Sequence, residues 1–134
     1  MTPRVCAREE AWIAMGKVMV VDDAYSELQV IESILRAAGH DVISYLDGEQ
    51  LEEKIAAERP DLVLLDIVMP KRNGFDVLRG VRRDARTKET RVVVVSSKNQ
   101  ESDRAWGLRQ GADEYVGKPF TAEQLLAAIR KFVR

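Results

Sequence analysis

The sequence predicts an α/β fold, in which helices cover both faces of a doubly wound, five-stranded parallel sheet. Three continuous apolar runs of four residues lie at 18–21, 62–65 and 92–95, and such runs are typical of strands buried on both faces of a parallel sheet. Segments with helical periodicity alternate with these runs from residue 17 to residue 134. Strands that alternate with helices are joined by right-handed crossovers, which place parallel strands in one sheet.

Five strands are expected along the chain. The first, third and fourth are the apolar runs VMVV, LVLL and VVVV, and the second and fifth are the weaker segments 42–45 and 114–116. A weaker apolar run fits a shorter strand or a strand at the edge of the sheet.

Apolar residues at helical spacing predict five helices between the strands, over approximately 28–38, 51–59, 74–81, 102–110 and 121–133. Gly39 and Gly111 follow the first and fourth helices, where a glycine commonly ends a helix. Thr121 begins the fifth helix, and its hydroxyl can accept a backbone N–H. We expect a simple N-cap there, because Glu123 falls one place short of a capping box.

Length and composition exclude several classes of protein. With 134 residues one domain is expected, and a net charge of -1 gives no general attraction to nucleic acid or to an anionic membrane. The single cysteine, Cys6, and the single histidine exclude an internal disulfide and a Cys/His zinc cluster. No apolar run approaches the ~18 residues of a membrane span. We therefore expect a cytoplasmic domain over 17–134, with residues 1–16 as a flexible N-terminal leader, a short helix over 8–15 or an upstream start before Met15.

Polar side chains that can carry chemistry follow four of the five predicted strands. Ligands of an open parallel sheet bind outside the carboxyl ends of its strands, so these side chains are expected at one rim. In chain order they are Asp22 and Asp23, then Asp66, then Ser96 and Ser97, then Lys118.

The three carboxylates of this set predict a cation site and a nucleophile. Carboxylates in a partly desolvated cleft raise each other's pKa or recruit a cation, and oxygen ligands with room for water suit Mg²⁺ or Mn²⁺. Asp66 could then attack a phosphoryl group, a reaction that requires positioning and charge neutralisation. The metal ion, the Lys118 ammonium, the Ser96 hydroxyl and backbone N–H groups could supply both.

Each of these residues also has an ordinary structural interpretation. Asp22 and Asp23 could form a turn and a helix N-cap, and Ser96 could cap the fourth helix. Lys118 could be a surface lysine, and Tyr115 could lie at the edge of the core. Asp66 is the hardest to explain structurally, because it ends a buried strand and precedes further apolar residues.

Taken together, these motifs resemble the receiver domain of two-component response regulators. The resemblance covers residues 17–134 and rests on VVDD at 20–23, LLDIVMP at 64–70 with NGF at 73–75, VVVVSS at 92–97 and GADEYVGKPF at 111–120. It implies a flavodoxin-like (βα)5 fold with strand order 2-1-3-4-5. It also implies a signalling protein that catalyses only its own phosphotransfer and a slow autodephosphorylation.

The resemblance assigns a role to each site residue. Asp66 would be the phosphoacceptor, and Lys118 would pair with the phosphoryl group. Asp23 would bind Mg²⁺ directly and Asp22 through water, with Asp66 and the backbone carbonyl of Val68 completing the protein ligands. Ser96 would be the switch hydroxyl, where threonine is frequent in the family, and Tyr115 the switch aromatic. Phosphorylation would then remodel the face formed by the fourth helix, the fifth strand and the fifth helix.

Two further positions are expected to set the lifetime of the phosphoryl group. Val68 and Lys98 lie two residues after Asp66 and Ser96, and the resemblance implies that these positions flank the path of the attacking water. The apolar Val68 offers that water no polar contact, so we expect slow self-dephosphorylation.

Residues 96–120 resemble in particular the small regulators of twitching motility and phototaxis, and Trp106 is part of that likeness. Tryptophan is favoured at interface hot spots, so Trp106 could anchor a partner or could pack on the fifth helix and strand. We expect no effector domain after residue 134. We therefore expect a stand-alone regulator with two partners, a histidine kinase or its phosphotransfer domain and a downstream motility or taxis protein.

Alternative functions remain open at this stage. Within the family the alternative is a phosphorelay intermediate or phosphate sink, and a phosphorylation-independent scaffold is an alternative of a separate class. A haloacid-dehalogenase-like phosphatase would place an Asp where Val68 stands, and a flavin or nucleotide binder would need a glycine-rich loop where VDDAYSE stands. The basic cluster, formed by Arg79, Arg82, Arg83, Arg86 and Lys88, is expected to be a solvated helix face, with kinase docking or nucleic-acid binding as the lesser alternative.

Overall fold

The computed structural model describes residues 16–69 and 71–133. The predictions made for residues 1–15, including the helix over 8–15, lie outside the described residues. Within them, no helix combines the length and the apolar character that a membrane crossing requires.

Five parallel strands form one sheet in the order β2-β1-β3-β4-β5. They are β1 (Lys17–Val21), β2 (Asp41–Tyr45), β3 (Leu62–Leu65), β4 (Val92–Ser96) and β5 (Glu114–Gly117). The predicted doubly wound fold and strand order are confirmed, and the two weaker runs are the edge strands. β1, β3 and β4 are buried almost throughout, as their continuous apolar runs require.

Five helices alternate with the strands and close the expected (βα)5 pattern. They are α1 (Tyr25–Ala37), α2 (Leu51–Glu58), α3 (Gly74–Arg83), α4 (Glu101–Gln110) and α5 (Ala122–Ile129). Each bound lies close to its predicted position except at the end of α5, where residues 130–133 leave the helix but Val133 is still buried.

Two apolar layers flank the sheet. One layer holds the buried residues of α1 and α5, among them Leu35 and Ile129. The other holds those of α2 and α3, among them Ile55 and Leu78, together with Tyr115 from β5. α4 covers this second face with little apolar surface, and its one buried residue is Gly107. Four helices therefore pack on the sheet through buried apolar side chains, whereas the buried position of α4 is a glycine.

The N-terminus of α5 corrects the prediction of a simple N-cap. The Thr121 hydroxyl accepts the backbone N–H of Gln124 at 3.0 Å, and the Gln124 side chain accepts the backbone N–H of Thr121 at 2.9 Å. The prediction was wrong because it tested Glu123, whereas the third residue after Thr121 is Gln124, which closes a capping box.

The residues of the basic cluster make more contacts with the rest of the protein than the predicted solvated helix face would make. The Arg82 guanidinium donates to the Gly111 carbonyl and to the Asp113 carboxylate, both at 2.9 Å, and so ties α3 to the start of β5. Arg86 pairs with Asp84 and Glu53. These carboxylates neutralise much of the positive charge, which weakens the nucleic-acid alternative.

Candidate functional site

The register of the sheet brings the predicted carboxylates together. Val21 pairs with Leu65 at the ends of β1 and β3, so the residues that follow them, Asp22 and Asp66, leave neighbouring strands at the same level. Carboxylate oxygens of Asp22, Asp23 and Asp66 lie within 4.8 Å of one another. Asp22 and Asp66 are only 1% and 6% exposed, whereas Asp23 faces solvent.

Lys118 reaches into this cluster from the end of β5. Its Nζ lies 2.8 Å from Asp22 Oδ2 and 3.3 Å from Asp66 Oδ2. Burial alone would lower the pKa of Lys118, but hydrogen bonds to Asp22 and Glu27 outweigh it and hold the pKa above its usual range. The interpretation of Lys118 as a surface lysine is therefore wrong, since its side chain is only 11% exposed.

Asp66 is a buried carboxylate with two different oxygen environments. Its Oδ1 accepts the backbone N–H of Val68 at 3.1 Å, and its Oδ2 faces Lys118. Burial raises the pKa of Asp66 and Asp22 adds repulsion, while the Lys118 ammonium opposes both. This arrangement places a buried carboxylate at the rim with the Lys118 ammonium beside it.

Glu27 is a fourth carboxylate of the site that the sequence analysis missed. It lies in the first turn of α1 and accepts a hydrogen bond from Lys118 Nζ. The only signal for it in the sequence is an acidic residue four positions after Asp23, which is ordinary at the start of a helix.

Asp22 and Ser96 do not cap helices. Asp22 accepts the N–H of Ala24 at 2.9 Å in a tight turn, so the turn is confirmed, but the N-cap of α1 is Ala24, with no side-chain cap. Ser96 is fully buried as the last residue of β4, and α4 has Gln100 at its N-cap. The Ser96 hydroxyl accepts the N–H of Lys98 at 3.2 Å, which leaves its own proton available to another acceptor.

Tyr115 lies inside the protein beneath α4. Its ring is 2% exposed, and its hydroxyl donates to the carbonyl of Lys98 in the loop that follows Ser96. Burial raises the pKa of Tyr115 to about 12. Gly107 makes room for the ring, because a Cβ at that position would lie 2.8 Å from both Cδ2 and Cε2 of Tyr115.

We expect Gly107→Ala to push the Tyr115 ring out from beneath α4 and to lower the Tyr115 pKa toward the ordinary tyrosine value of about 10. Alanine is favoured over glycine inside a helix by about 1 kcal/mol, so helix propensity alone would make the variant more stable than the wild type. A free energy of unfolding that does not rise would therefore also indicate the collision with the Tyr115 ring. A phenolate absorbance titration checks the pKa, in a background with Tyr25 and Tyr45 replaced by phenylalanine. Leu108→Ala, at an exposed position of the same helix, is the control. A Tyr115 pKa that stays at its wild-type value would contradict the prediction.

Trp106 combines packing with exposure. Its ring meets that of Phe75 of α3 edge to face, with centroids 6.4 Å apart, and the residue remains 44% exposed. Packing on α5 and β5 was one of the two alternatives for Trp106, and the aromatic contact found is instead with α3. The exposed part of the ring is available to a partner.

The donor set fits a hard divalent cation. The three clustered aspartates offer only carboxylate oxygens, and Asp23 opens the cluster to solvent, which leaves room for water ligands. With Glu27 the site has four carboxylates against one ammonium, so a divalent cation would offset most of the excess negative charge. The side chain of Val68 is half exposed at the mouth of the cluster.

Comparison with known proteins places the chain in a family. Residues 18–130 match the family model described as the response regulator receiver domain. Protein PilH of Pseudomonas aeruginosa is 40% identical over 115 residues, which cover 86% of this chain and 95% of that protein.

Two solved structures show the same architecture. The chemotaxis protein CheY4 of Vibrio cholerae is 30% identical with a TM-score of 0.81, covering 90% of this chain and 100% of that one. The receiver domain of the sensor histidine kinase PA1611 of Pseudomonas aeruginosa is 25% identical with a TM-score of 0.80, covering 89% and 98%. That second structure has a magnesium ion coordinated in its active site cleft. The fold, the acidic cluster and these matches together show that the chain belongs to the response regulator receiver domain family.

Proposed function

We propose that this chain is a cytoplasmic, stand-alone response regulator that accepts a phosphoryl group from a histidine kinase on Asp66. The observation that carries the proposal is the buried Asp66 carboxylate, which lies beside the Lys118 ammonium and within an acidic cluster. A role in motility or taxis control is supported by the 40% identity to PilH and by the resemblance of residues 96–120 to twitching-motility and phototaxis regulators.

In the proposed reaction a carboxylate oxygen of Asp66 attacks the phosphorus atom of a phosphohistidine. The new O–P bond forms as the P–N bond breaks, and the electron pair of that bond stays on the imidazole nitrogen. Lys118 and the Ser96 hydroxyl pair with the transferred phosphoryl oxygens, and the N–H of Val68 holds the second Asp66 oxygen. Such a reaction needs positioning and charge stabilisation more than it needs a general base.

Asp22, Asp23 and Asp66, with the backbone carbonyl of Val68, would hold Mg²⁺ or Mn²⁺ in this proposal. When bound, the metal ion would neutralise charge on the phosphoryl oxygens. Asp23 faces solvent and Asp22 is buried. This difference in exposure supports different roles for the two, in which Asp23 would bind the metal ion directly and Asp22 through water.

The proposed output is a change of the surface formed by α4, β5 and α5. The Ser96 hydroxyl would turn toward the phosphoryl group and move the loop that carries Lys98, whose carbonyl holds the Tyr115 hydroxyl. Since Tyr115 supports α4 from below, a movement of that loop would reach the exposed side of the helix, where Trp106 would anchor a downstream motility or taxis protein. The protein would thus signal by population shift of a surface.

The proposal is tested by intact mass after incubation with acetyl phosphate, with and without Mg²⁺. We expect the wild type to gain the mass of one phosphoryl group only when Mg²⁺ is present, and Asp66→Ala to gain none. Asp61→Ala, which removes an acid at the other end of β3, is the control and should behave as the wild type. If the wild type gained no mass under either condition, the phosphorylation proposal would fail and a phosphorylation-independent scaffold would take its place.

We expect the phosphorylated protein to lose its phosphoryl group slowly, over minutes or longer. The side chain of Val68 lies half exposed at the mouth of the site and offers an attacking water no hydrogen bond. The decay of the phosphorylated mass after removal of acetyl phosphate measures the lifetime, and Val68→Asn, which adds polar atoms, should shorten it. Loss within seconds in the wild type would contradict this expectation.

A further inference from the structure

The Lys118 ammonium has all of its hydrogen-bond donors engaged. An ammonium carries three N–H groups, and Nζ of Lys118 contacts three carboxylates, those of Asp22, Asp66 and Glu27. A phosphoryl group that pairs with Lys118 must therefore displace, or share an N–H with, one of these three carboxylates.

Glu27 differs from the other two acceptors in its surroundings. The side chains of Asp22 and Asp66 are 2% and 8% exposed, whereas that of Glu27 is 52% exposed. Glu27 also lies outside the group of three aspartates whose oxygens can meet at one cation. It is the carboxylate that can leave Lys118 for water at the smallest energetic cost, because charge pairs in contact with solvent are weak.

We propose that Glu27 is a positioning residue that holds Lys118 until phosphorylation and competes with the phosphoryl group for the ammonium. This inference rests on the proposed function. Glu27 has two effects that act in the same direction. It occupies a Lys118 donor that a phosphoryl oxygen would use, and its negative charge repels an anionic phosphodonor. Glu27 thereby weakens anion binding at Lys118 and sets the concentration of phosphodonor that the protein needs.

The test compares wild type, Glu27→Gln and the control Glu123→Gln, at saturating Mg²⁺. Glu123 is an exposed acid in the first turn of α5, so its replacement reproduces the change in helix-end charge away from Lys118. Fluoroberyllate, an anionic complex that can occupy the position of a phosphoryl group on a carboxylate, serves as the phosphoryl analogue, and its binding is followed by fluorine NMR. The rate of mass gain is then measured over a range of acetyl phosphate concentrations.

We expect Glu27→Gln to bind fluoroberyllate about two- to fivefold more tightly than the wild type, the range that one solvent-screened charge pair allows. The half-saturating concentration of acetyl phosphate should fall by a similar factor while the maximal rate stays nearly constant. A residue with only a structural role would not produce that split. Glu123→Gln should match the wild type in both measurements.

Equal or weaker fluoroberyllate binding by Glu27→Gln would overturn the inference, as would a lower maximal rate with an unchanged half-saturating concentration. Either result would leave the proposed function standing, provided that the wild type still gains its Mg²⁺-dependent phosphoryl mass. Failure of the wild type to gain that mass would instead refute the proposed function itself.

Discussion

Lys118→Ala should slow the phosphorylation of Asp66 by about a hundredfold, the loss typical of removing one preorganised donor from a reacting anion. The ammonium lies 3.3 Å from Asp66 Oδ2 and is the cation that faces both buried aspartates. Without it, only the hydrogen bond from the Val68 N–H still opposes the burial and the Asp22 repulsion that raise the pKa of Asp66. A larger fraction of Asp66 would be protonated, and the transferred phosphoryl group would lose its partner.

The same variant should change how stability depends on pH. A carboxyl group whose pKa is raised by folding binds its proton more tightly in the native state, so stability falls as pH rises from the unfolded pKa through the folded one. Since the Lys118 charge lowers the pKa of Asp66, its removal should widen that window toward higher pH. The metal-free variant should therefore lose more stability than the wild type between acidic and neutral pH, and Mg²⁺ should restore part of it.

The measurements are the rate of mass gain with acetyl phosphate and the thermal unfolding temperature at several pH values, with and without Mg²⁺. Lys131→Ala is the matched control, because Lys131 pairs with Glu114 on the exposed surface and such pairs contribute about 1 kcal/mol or less. A Lys118→Ala protein that is phosphorylated at the wild-type rate would show that the ammonium is not part of the reaction.

The sequence predicted the part of the site that strand ends determine. Asp22 and Asp66 follow buried apolar runs, and parallel strands bring their carboxyl ends to one rim, so the cluster follows from the order of the elements. Lys118 follows the last strand in the same way. Periodicity was sufficient for these residues because their backbone positions are fixed by the sheet.

The sequence did not predict contacts made by side chains that reach across elements. Glu27 extends from α1 to a lysine 91 positions away, and no local spacing records that distance. Gly107 is an ordinary glycine in a helical pattern until the Tyr115 ring is found beneath it. Arg82 was grouped with a solvated basic face, although it binds Asp113 across two elements. Each of these contacts depends on how the helices pack on the sheet, and the spacing of residues along one sequence does not reveal that packing.

Gly74→Ala should destabilise the protein by about 3 kcal/mol, at the upper end of the range for an overpacked core position. Gly74 begins α3 and is buried against the loop that carries Asp66. A Cβ there would lie 2.3 Å from the Cα of Ile67 and 2.7 Å from the carbonyl oxygen of Asp66. Both are backbone atoms and cannot rotate away, and the N–H of Gly74 already donates to the Ile67 carbonyl at 2.9 Å. The added methyl group must therefore move either α3 or the Asp66 backbone.

The matched control is Gly80→Ala in the same helix. Its Cβ would also meet close neighbours, but these are the ends of the Glu52 and Arg72 side chains, which can move. The gain in helix propensity of about 1 kcal/mol should offset the strained ion pair, so denaturant unfolding should give a free energy near that of the wild type. Because a displacement of about 1 Å can cost a hundredfold in rate, Gly74→Ala should also lower the rate of phosphoryl gain, whereas Gly80→Ala should not. If both variants unfolded with the wild-type free energy, the close approach of α3 to the Asp66 loop would not be a constraint on the site. A loss of stability confined to Gly74→Ala would show that the missing side chain at the start of α3 is what allows the loop to present Asp66 beside Lys118.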